Sequence, residues 1–328
     1  MDKFSIILPV YNGGHLVKEC VNSILAQDRP EFDLLVLDNA SNDGTSEWLT
    51  SLSDSRIRVT RSDTKLSMEG NWARIKNISK NEFMTLIGHD DILHPHYLSE
   101  MARLIEKHPH ATLYQAHFDF IDAAGKHISY CKPMDEVQYG HEFLACHMMQ
   151  TMDSMGTGYC FRSADYDKLG GIPSDYPNLI FADYVLWIRL CLLGYKATTN
   201  RNCFSYRIHQ SVSRLTSGEQ YQQAFEKYVY FIAGLCQDHE EVKRVVERYG
   251  HHMLMYYCES LSHRLLKTPM EKRRTKVDEY IARCKGYAAM LIPGQPFAPE
   301  EKFRIRVAGN IDSNPLTRGL FQFLRKMI

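Results

Sequence analysis

Three predominantly apolar runs, Phe4–Val10, Phe32–Leu37 and Phe83–Ile87, constrain this chain more than any other feature. A strand open to water on one side alternates apolar and polar residues. Runs with a single polar residue and no alternation read as strands covered on both faces. The covering helices are legible between them. From His15, residues Leu16, Cys20, Val21, Ile24 and Leu25 share a face; a second helix runs through Trp48, Leu49 and Leu52 with Thr45 as its predicted cap. Arg56 to Thr60 reads as a further strand and Asn71 to Lys80 as a helix. His94-Pro95 opens another helix carrying Leu98, Met101, Leu104 and Ile105, with proline in the first turn. The alternation predicts an α/β fold: a single Rossmann-like, mainly parallel sheet flanked by helices. Ligands of such sheets bind beyond the carboxyl ends of the strands, where Pro9-Val10-Tyr11, Asp38 and Asp90-Asp91 all fall.

The 328 residues leave room for a smaller appendage. The pattern turns irregular from about residue 111 to Ser213. After Ser217 it is helical, interrupted at Pro293-Gly294-Gln295-Pro296. The expected division is therefore 1–215, with halves meeting near residue 110, and a helical, basic region over 216–328. Lys+Arg and Asp+Glu are both 39, which gives no global reason to expect a nucleic-acid partner. The balance hides an asymmetry, because residues 264–328 hold 14 basic and 6 acidic side chains. Nine scattered cysteines without CxxC pairs predict reduced thiols, with Cys20, Cys160, Cys191 and Cys203 as small core residues. Met1-Asp2-Lys3 leads straight into a strand, and no apolar stretch approaches the length of a membrane span. The expectation is a cytoplasmic protein without a secretory signal.

Gly88-His89-Asp90-Asp91 follows the Phe83–Ile87 strand directly. Two adjacent carboxylates at a buried strand end are costly unless a cation or a diphosphate–metal complex shares the crevice. This predicts an enzyme acting on an activated, phosphate-bearing donor.

Several motifs in order now resemble a family: Ile7-Leu8-Pro9-Val10-Tyr11-Asn12, Ser23-Ile24-Leu25-Ala26-Gln27 and Asp38-Asn39-Ala40-Ser41-Asn42-Asp43-Gly44-Thr45. They continue with Asn71-Trp72-Ala73-Arg74, His89-Asp90-Asp91-Ile92-Leu93, Asp183 to Leu190 and Tyr206-Arg207-Ile208-His209. Each is weak alone; the ordered set, from about Phe4 to Ser213, resembles the family 2 glycosyltransferases of GT-A fold. The resemblance implies an inverting transfer from a nucleotide sugar, a UDP-sugar first, to a hydroxyl of a glycan or lipid-linked acceptor. Bacterial surface polysaccharide or lipopolysaccharide synthesis is the role it most often implies.

By that resemblance Asp38 reads the base, with Pro9, Val10 and Tyr11 walling it and Trp72 shaping the pocket. Asp43 is mainly an Asx-turn residue. Asp90 holds Mn²⁺ or Mg²⁺, and His209 matches the late histidine near the metal. Gly88 stands where many members have the first aspartate of a DxD motif, so that the ribose contact is either missing or supplied by His89. Asp91 is either a further metal ligand or a cap for the helix after Pro95. Asp183 falls at the catalytic carboxylate pair, with Ala182 in place of the usual glutamate. It reads as general base, although a first-turn carboxylate also suits a helix dipole. Trp187 reads as core, and Gly156-Thr157-Gly158 as a turn or a close backbone approach to ligand.

Rival readings fare worse. A nucleotidyltransferase calls for a basic, glycine-rich loop after the first strand, but Pro9 to Gly14 has no basic residue. A nicotinamide dehydrogenase calls for GxGxxG there. A catalytically silent sugar-binding relative stays open through Gly88 and Ala182. The terminal Leu316–Ile328 segment suits a helix lying on an anionic membrane, on the cytoplasmic face, or one that packs in a homo-oligomer.

Overall fold

The structure, a computed structural model, describes residues 4–208 and 216–325. Ten strands form one sheet: β1 (Phe4–Val10), β2 (Phe32–Asp38), β3 (Ile57–Arg61), β4 (Phe83–Leu86), β5 (Ile92–Leu93), β6 (Leu113–Ile121), β7 (His127–Tyr130), β8 (Val137–Tyr139), β9 (Tyr159–Arg162) and β10 (Tyr195–Arg207). The order is β3-β2-β1-β4-β9-β6-β10-β5, with β7 on β6 and β8 on β10.

β1, β2 and β4 pair in parallel as their apolar runs predict, and β3, exposed along Arg58–Arg61, adds to β2 in parallel. The second half mixes directions: β9 lies antiparallel between β4 and β6, and β10 is parallel to β6 but antiparallel to β5. Ile6, Leu8, Leu34 and Val36 pack with Val17, Cys20, Val21 and Ile24 of the Gly14–Leu25 helix in one core. Cys20, Cys160, Cys191 and Cys203 are buried, and none of the nine cysteines is in a disulfide.

Three local expectations shift. The helix predicted over 71–80 spans Met68–Ala73 and tightens to a 3-10 turn at Arg74–Asn77, because Ser67 Oγ caps it by accepting from Gly70 N. The helix after Pro95 begins at Tyr97, so the proline lies outside it. Thr45 does not cap its own helix; its Oγ1 accepts from Gly13 N at 3.1 Å and Gly14 N at 3.3 Å, joining two loops.

The chain divides into two compact units: Met1–Phe143 with Thr151–Asp175 and Ala182–Ser211, and Leu144–Gln150 with Tyr176–Phe181 and Val212–Ile328. The second is helical. Its long helices are Gly218–Asp238, opened by a Ser217–Gln220 capping box, and Glu240–Lys267. Val277–Leu291, Phe303–Ser313 and Pro315–Arg325 follow. Its core is aromatic, with the Phe181 and Tyr228 rings stacked at 5.0 Å and Phe225 against Tyr257 at 4.6 Å. Arg273 and Asp312 form a buried ion pair within it. Among the described residues no helix is long and apolar enough to cross a membrane.

Candidate active site

The site is built where β1, β2 and β4 end. Register pairs Val10 with Asp38, so the loops after β1 and β2 emerge side by side. Asn12 clasps them: its backbone N–H donates to Ser41 Oγ at 2.9 Å, and its side chain exchanges two hydrogen bonds with Asn42. Asp43 is structural, accepting from Gly14 N at 3.0 Å and Thr45 N at 3.1 Å. Burial pushes its carboxyl up, but the bonds from Thr45 and Gly14 outweigh that and hold it below the usual range.

Asp38 ends β2 as expected, but it is enclosed, with its carboxylate 0% exposed. Oδ1 accepts from Ser41 N at 3.2 Å. Oδ2 has Arg61 Nε at 3.5 Å and makes no hydrogen bond among the described residues. A buried carboxylate oxygen without a donor is costly, and such groups cluster at functional sites. Arg74 fixes the same strand end, donating to the Asp38 carbonyl at 3.1 Å and the Asn71 side chain at 2.8 Å.

Of the predicted walls, Pro9 and Val10 lie buried within β1, and Val10 belongs to the core. The Val10 carbonyl is taken by Asn39 N at 2.9 Å. Tyr11 is half-buried with Lys65 Nζ 4.2 Å from its ring centre, and Trp72 is half-buried on the Met68–Ala73 helix.

After β4 the chain turns through Gly88, with His89 and Asp90 half-buried. A β-carbon on Gly88 would stand 2.6 Å from Asp90 Oδ1 and 2.9 Å from Asp91 Oδ2. The two carboxylates thus converge on the space that a side chain at position 88 would fill. Asp91 is 2% exposed and fully engaged: Oδ1 accepts from Arg207 N at 3.0 Å and Oδ2 from Thr157 Oγ1 at 2.9 Å. Burial, reinforced by the Asp90 charge, pushes its carboxyl well up. It caps no helix, since the Tyr97–Lys107 helix has no side-chain cap.

Arg207 is the residue that sequence reasoning missed. At 2% exposure its guanidinium donates to the Asp90 carbonyl (Nε, 2.7 Å), to Glu19 Oε2 (2.7 Å) and to the Ala123 carbonyl (3.2 Å). The short β5, antiparallel to β10 with Ile92 opposite Ser205, carries Asp91 to it. The available signal was an arginine closing the Cys203-Phe204-Ser205-Tyr206 stretch, two residues before His209. His209 itself lies outside the described residues.

Asp183 opens the Ala182–Leu193 helix, in its first turn as predicted. It keeps partial exposure, but crowding by protein atoms desolvates it and pushes its carboxyl up to about 6, against the lowering effect of the Tyr184 and Asp183 N–H groups. A β-carbon on Gly156 would lie 3.3 Å from Asp183 Oδ2, and Trp187 Nε1 donates to the Met155 carbonyl at 3.0 Å. Trp187 is core, 4.5 Å from the Tyr159 ring. The segment Met155–Thr157 therefore runs past Asp183 at Gly156 and bonds Asp91 through Thr157. Among the described residues no three His, Cys, Asp or Glu side chains form a metal-binding group. The oxygen donors of Asp90 and Asp91 nonetheless suit a hard divalent cation, and Asp90 is the half-exposed one.

Known proteins share the family and the fold. The profile of "Glycosyl transferase family 2" matches residues 5–155, and that of "Glycosyl transferase family group 2" matches residues 83–272, more than half of the chain. The chain belongs to glycosyltransferase family 2. An uncharacterized glycosyltransferase of Rickettsia typhi is 23% identical over 67% of this chain and 68% of its own length. Another, from Rickettsia conorii, is 30% identical over 39% of this chain, the match spanning 22% of the longer relative. The structure of Staphylococcus aureus TarS 1-349 in complex with UDP-GlcNAc superposes with a TM-score of 0.70 at 16% identity, covering 99% of this chain and 92% of that one. The mannosyltransferase PcManGT of Pyrobaculum calidifontis, in complex with GDP-Man and Mn²⁺, gives 0.52 at 15% identity over 98% of this chain and 87% of that one. The fold is therefore that of the GT-A family 2 transferases.

Proposed function

We propose that this chain is an inverting, metal-assisted glycosyltransferase that moves a sugar from a UDP-sugar to a hydroxyl of a glycan or lipid-linked acceptor. The observation that carries the reading is Asp183: a first-turn carboxylate with its pKa raised to about 6, beside the glycine of a segment that also holds Asp91. At neutral pH it is ionised, yet a better base than an ordinary carboxylate.

In the step proposed, Asp183 takes the proton of the acceptor hydroxyl. The freed oxygen bonds to the anomeric carbon from the face opposite the diphosphate. The bond from that carbon to the diphosphate oxygen breaks, its electrons leave with the nucleoside diphosphate, and the anomeric centre inverts. Asp90, with His209, would hold Mn²⁺ or Mg²⁺, which when bound offsets charge growing on the diphosphate. Asp38 offers its undonated Oδ2 to a base N–H once the Ser41 loop yields.

UDP-N-acetylglucosamine is the donor to try first, because TarS, named as a poly(ribitol-phosphate) beta-N-acetylglucosaminyltransferase, is similar over 33% of this chain and has the same fold in complex with UDP-GlcNAc. A peripheral membrane contact is part of the proposal. The Pro315–Arg325 helix leaves Leu316, Leu320, Phe323 and Leu324 exposed, while Gln322 and Arg325 bind carbonyls of the Glu240–Lys267 helix. The deciding assay is nucleoside diphosphate release from UDP-, GDP-, CMP- and dTDP-sugars with Mn²⁺ or EDTA, with nucleotide binding read on the same samples. Metal-dependent release from one donor supports the reading; binding without turnover under any acceptor points to a silent relative. No metal-assisted nucleotide binding sinks it.

A further inference from the structure

Six of the fourteen basic side chains after residue 263 line one cavity of about 840 Å³ in the helical unit: Arg264, Lys267, Lys272, Lys302, Arg304 and Arg325. That volume is within the range of small-molecule sites, roughly 300–1,000 Å³. Glu259 is the single acid among the described lining residues. It is already held by Lys302 Nζ at 2.8 Å and Arg304 at 2.9 Å, which leaves it no charge to offer the others. Arg264 donates to the Thr216 carbonyl at 2.8 Å and lies 4.2 Å from the Tyr221 ring centre.

The ammonium groups of Lys267 and Lys272 have neither an ion pair nor a hydrogen bond among the described residues. The bland account is that Lys267, in the last turn of the Glu240–Lys267 helix, meets that helix's negative end. It leaves Lys272 unexplained, and it does not say why five further cations share the walls. Gathering like charges in a depression raises the local potential and is unfavourable without an anion. Met255 and Tyr256 add an apolar wall that suits carbon between charged groups.

We propose that this cavity is a second ligand site that holds phosphate oxyanions, carried by a phosphodiester chain or by a lipid headgroup, with Lys267 and Lys272 as its free cationic contacts. None of its lining residues belongs to the donor machinery, and the proposal stands on the cavity alone.

The test is equilibrium binding of inorganic tripolyphosphate to the full chain, with saturating UDP present. Co-sedimentation with phosphatidylcholine vesicles, with and without phosphatidylglycerol, runs beside it. Wild type is expected to bind, less tightly as salt rises. The Lys267→Ala/Lys272→Ala double variant should bind about tenfold or more weakly, with UDP binding and thermal melting unchanged. Lysine-dependent retention on phosphatidylglycerol vesicles would assign the phosphate to a headgroup, and tripolyphosphate binding without retention to a soluble chain; both support the site. No binding to either probe, or equal binding by wild type and the double variant, overturns it. Loss of UDP binding with tripolyphosphate binding intact would count against the donor-site reading and leave this one standing.

Discussion

The backbone N–H of Arg207 donates to Asp91 Oδ1 at 3.0 Å across 116 residues of chain. The same arginine's guanidinium reaches the Asp90 carbonyl at 2.7 Å, so one residue from the end of β10 holds the whole acidic turn after β4. Replacing Arg207 with Met keeps the backbone bond but strips the guanidinium from buried carbonyls. The expected cost is about 2–3 kcal/mol of stability, measured by urea unfolding. Nucleotide binding in the presence of Mn²⁺ should fall further than stability explains; binding at wild-type affinity would remove Arg207 from the support of that turn.

Asp183→Asn should abolish transfer and leave nucleotide affinity nearly intact. Wild-type kcat/KM should fall below about pH 6, where the base takes up its proton. Stability should move the other way. A carboxyl with its folded pKa raised is most favourable when protonated, so wild-type stability declines as pH climbs from the ordinary carboxylate range through about 6. The Asn variant lacks that decline. It should therefore be the more stable protein at pH 7.5, on the order of 2 kcal/mol, with the gap closing by pH 4 in paired thermal melts.

Restoring the usual aspartate at position 88 should harm the protein. Its β-carbon would enter the space 2.6 Å from Asp90 Oδ1, so the turn must open. Gly88→Asp and Gly88→Ala are both expected to weaken metal-assisted nucleotide binding by tenfold or more, about 1.4 kcal/mol. Calorimetric titration reads this directly, and tighter binding by Gly88→Asp would contradict the geometry.

Thr157→Val removes the 2.9 Å donor to Asp91 Oδ2 and leaves that buried oxygen without it. A loss of about 1–3 kcal/mol in unfolding free energy is expected. Thr157→Ser, which keeps the hydroxyl, should recover most of it.

Deleting Pro315 to Ile328 tests the terminal helix. If Leu316, at 83% exposure, and its neighbours meet a membrane, co-sedimentation with anionic liposomes should drop while release of nucleoside diphosphate to water persists. Undiminished co-sedimentation would reassign the helix to packing.

The first half of the sheet was legible because β1, β2 and β4 are buried on both faces, and such strands announce themselves as apolar runs. Asp38, Asp90 and Asp183 could be placed at element ends from pattern and resemblance. The enclosure of Asp38 could not, since it depends on Ser41 and Arg61 folding back over it. The role of Arg207 was hidden for a different reason: a two-residue strand, β5, sets its partner, and two residues carry no periodicity. Gly156 looked like a turn because nothing in one dimension reveals that it abuts Asp183.

The Met155–Thr157 segment, three residues long, is braced against Trp187 at one end and bonded to Asp91 at the other. A lever so short has almost no slack. Under the proposed mechanism, any drift that reshapes the Asp183 side through this segment also disturbs the Asp91 turn. Changes of acceptor should therefore arise in such a chain through its outer loops, with these three positions nearly frozen.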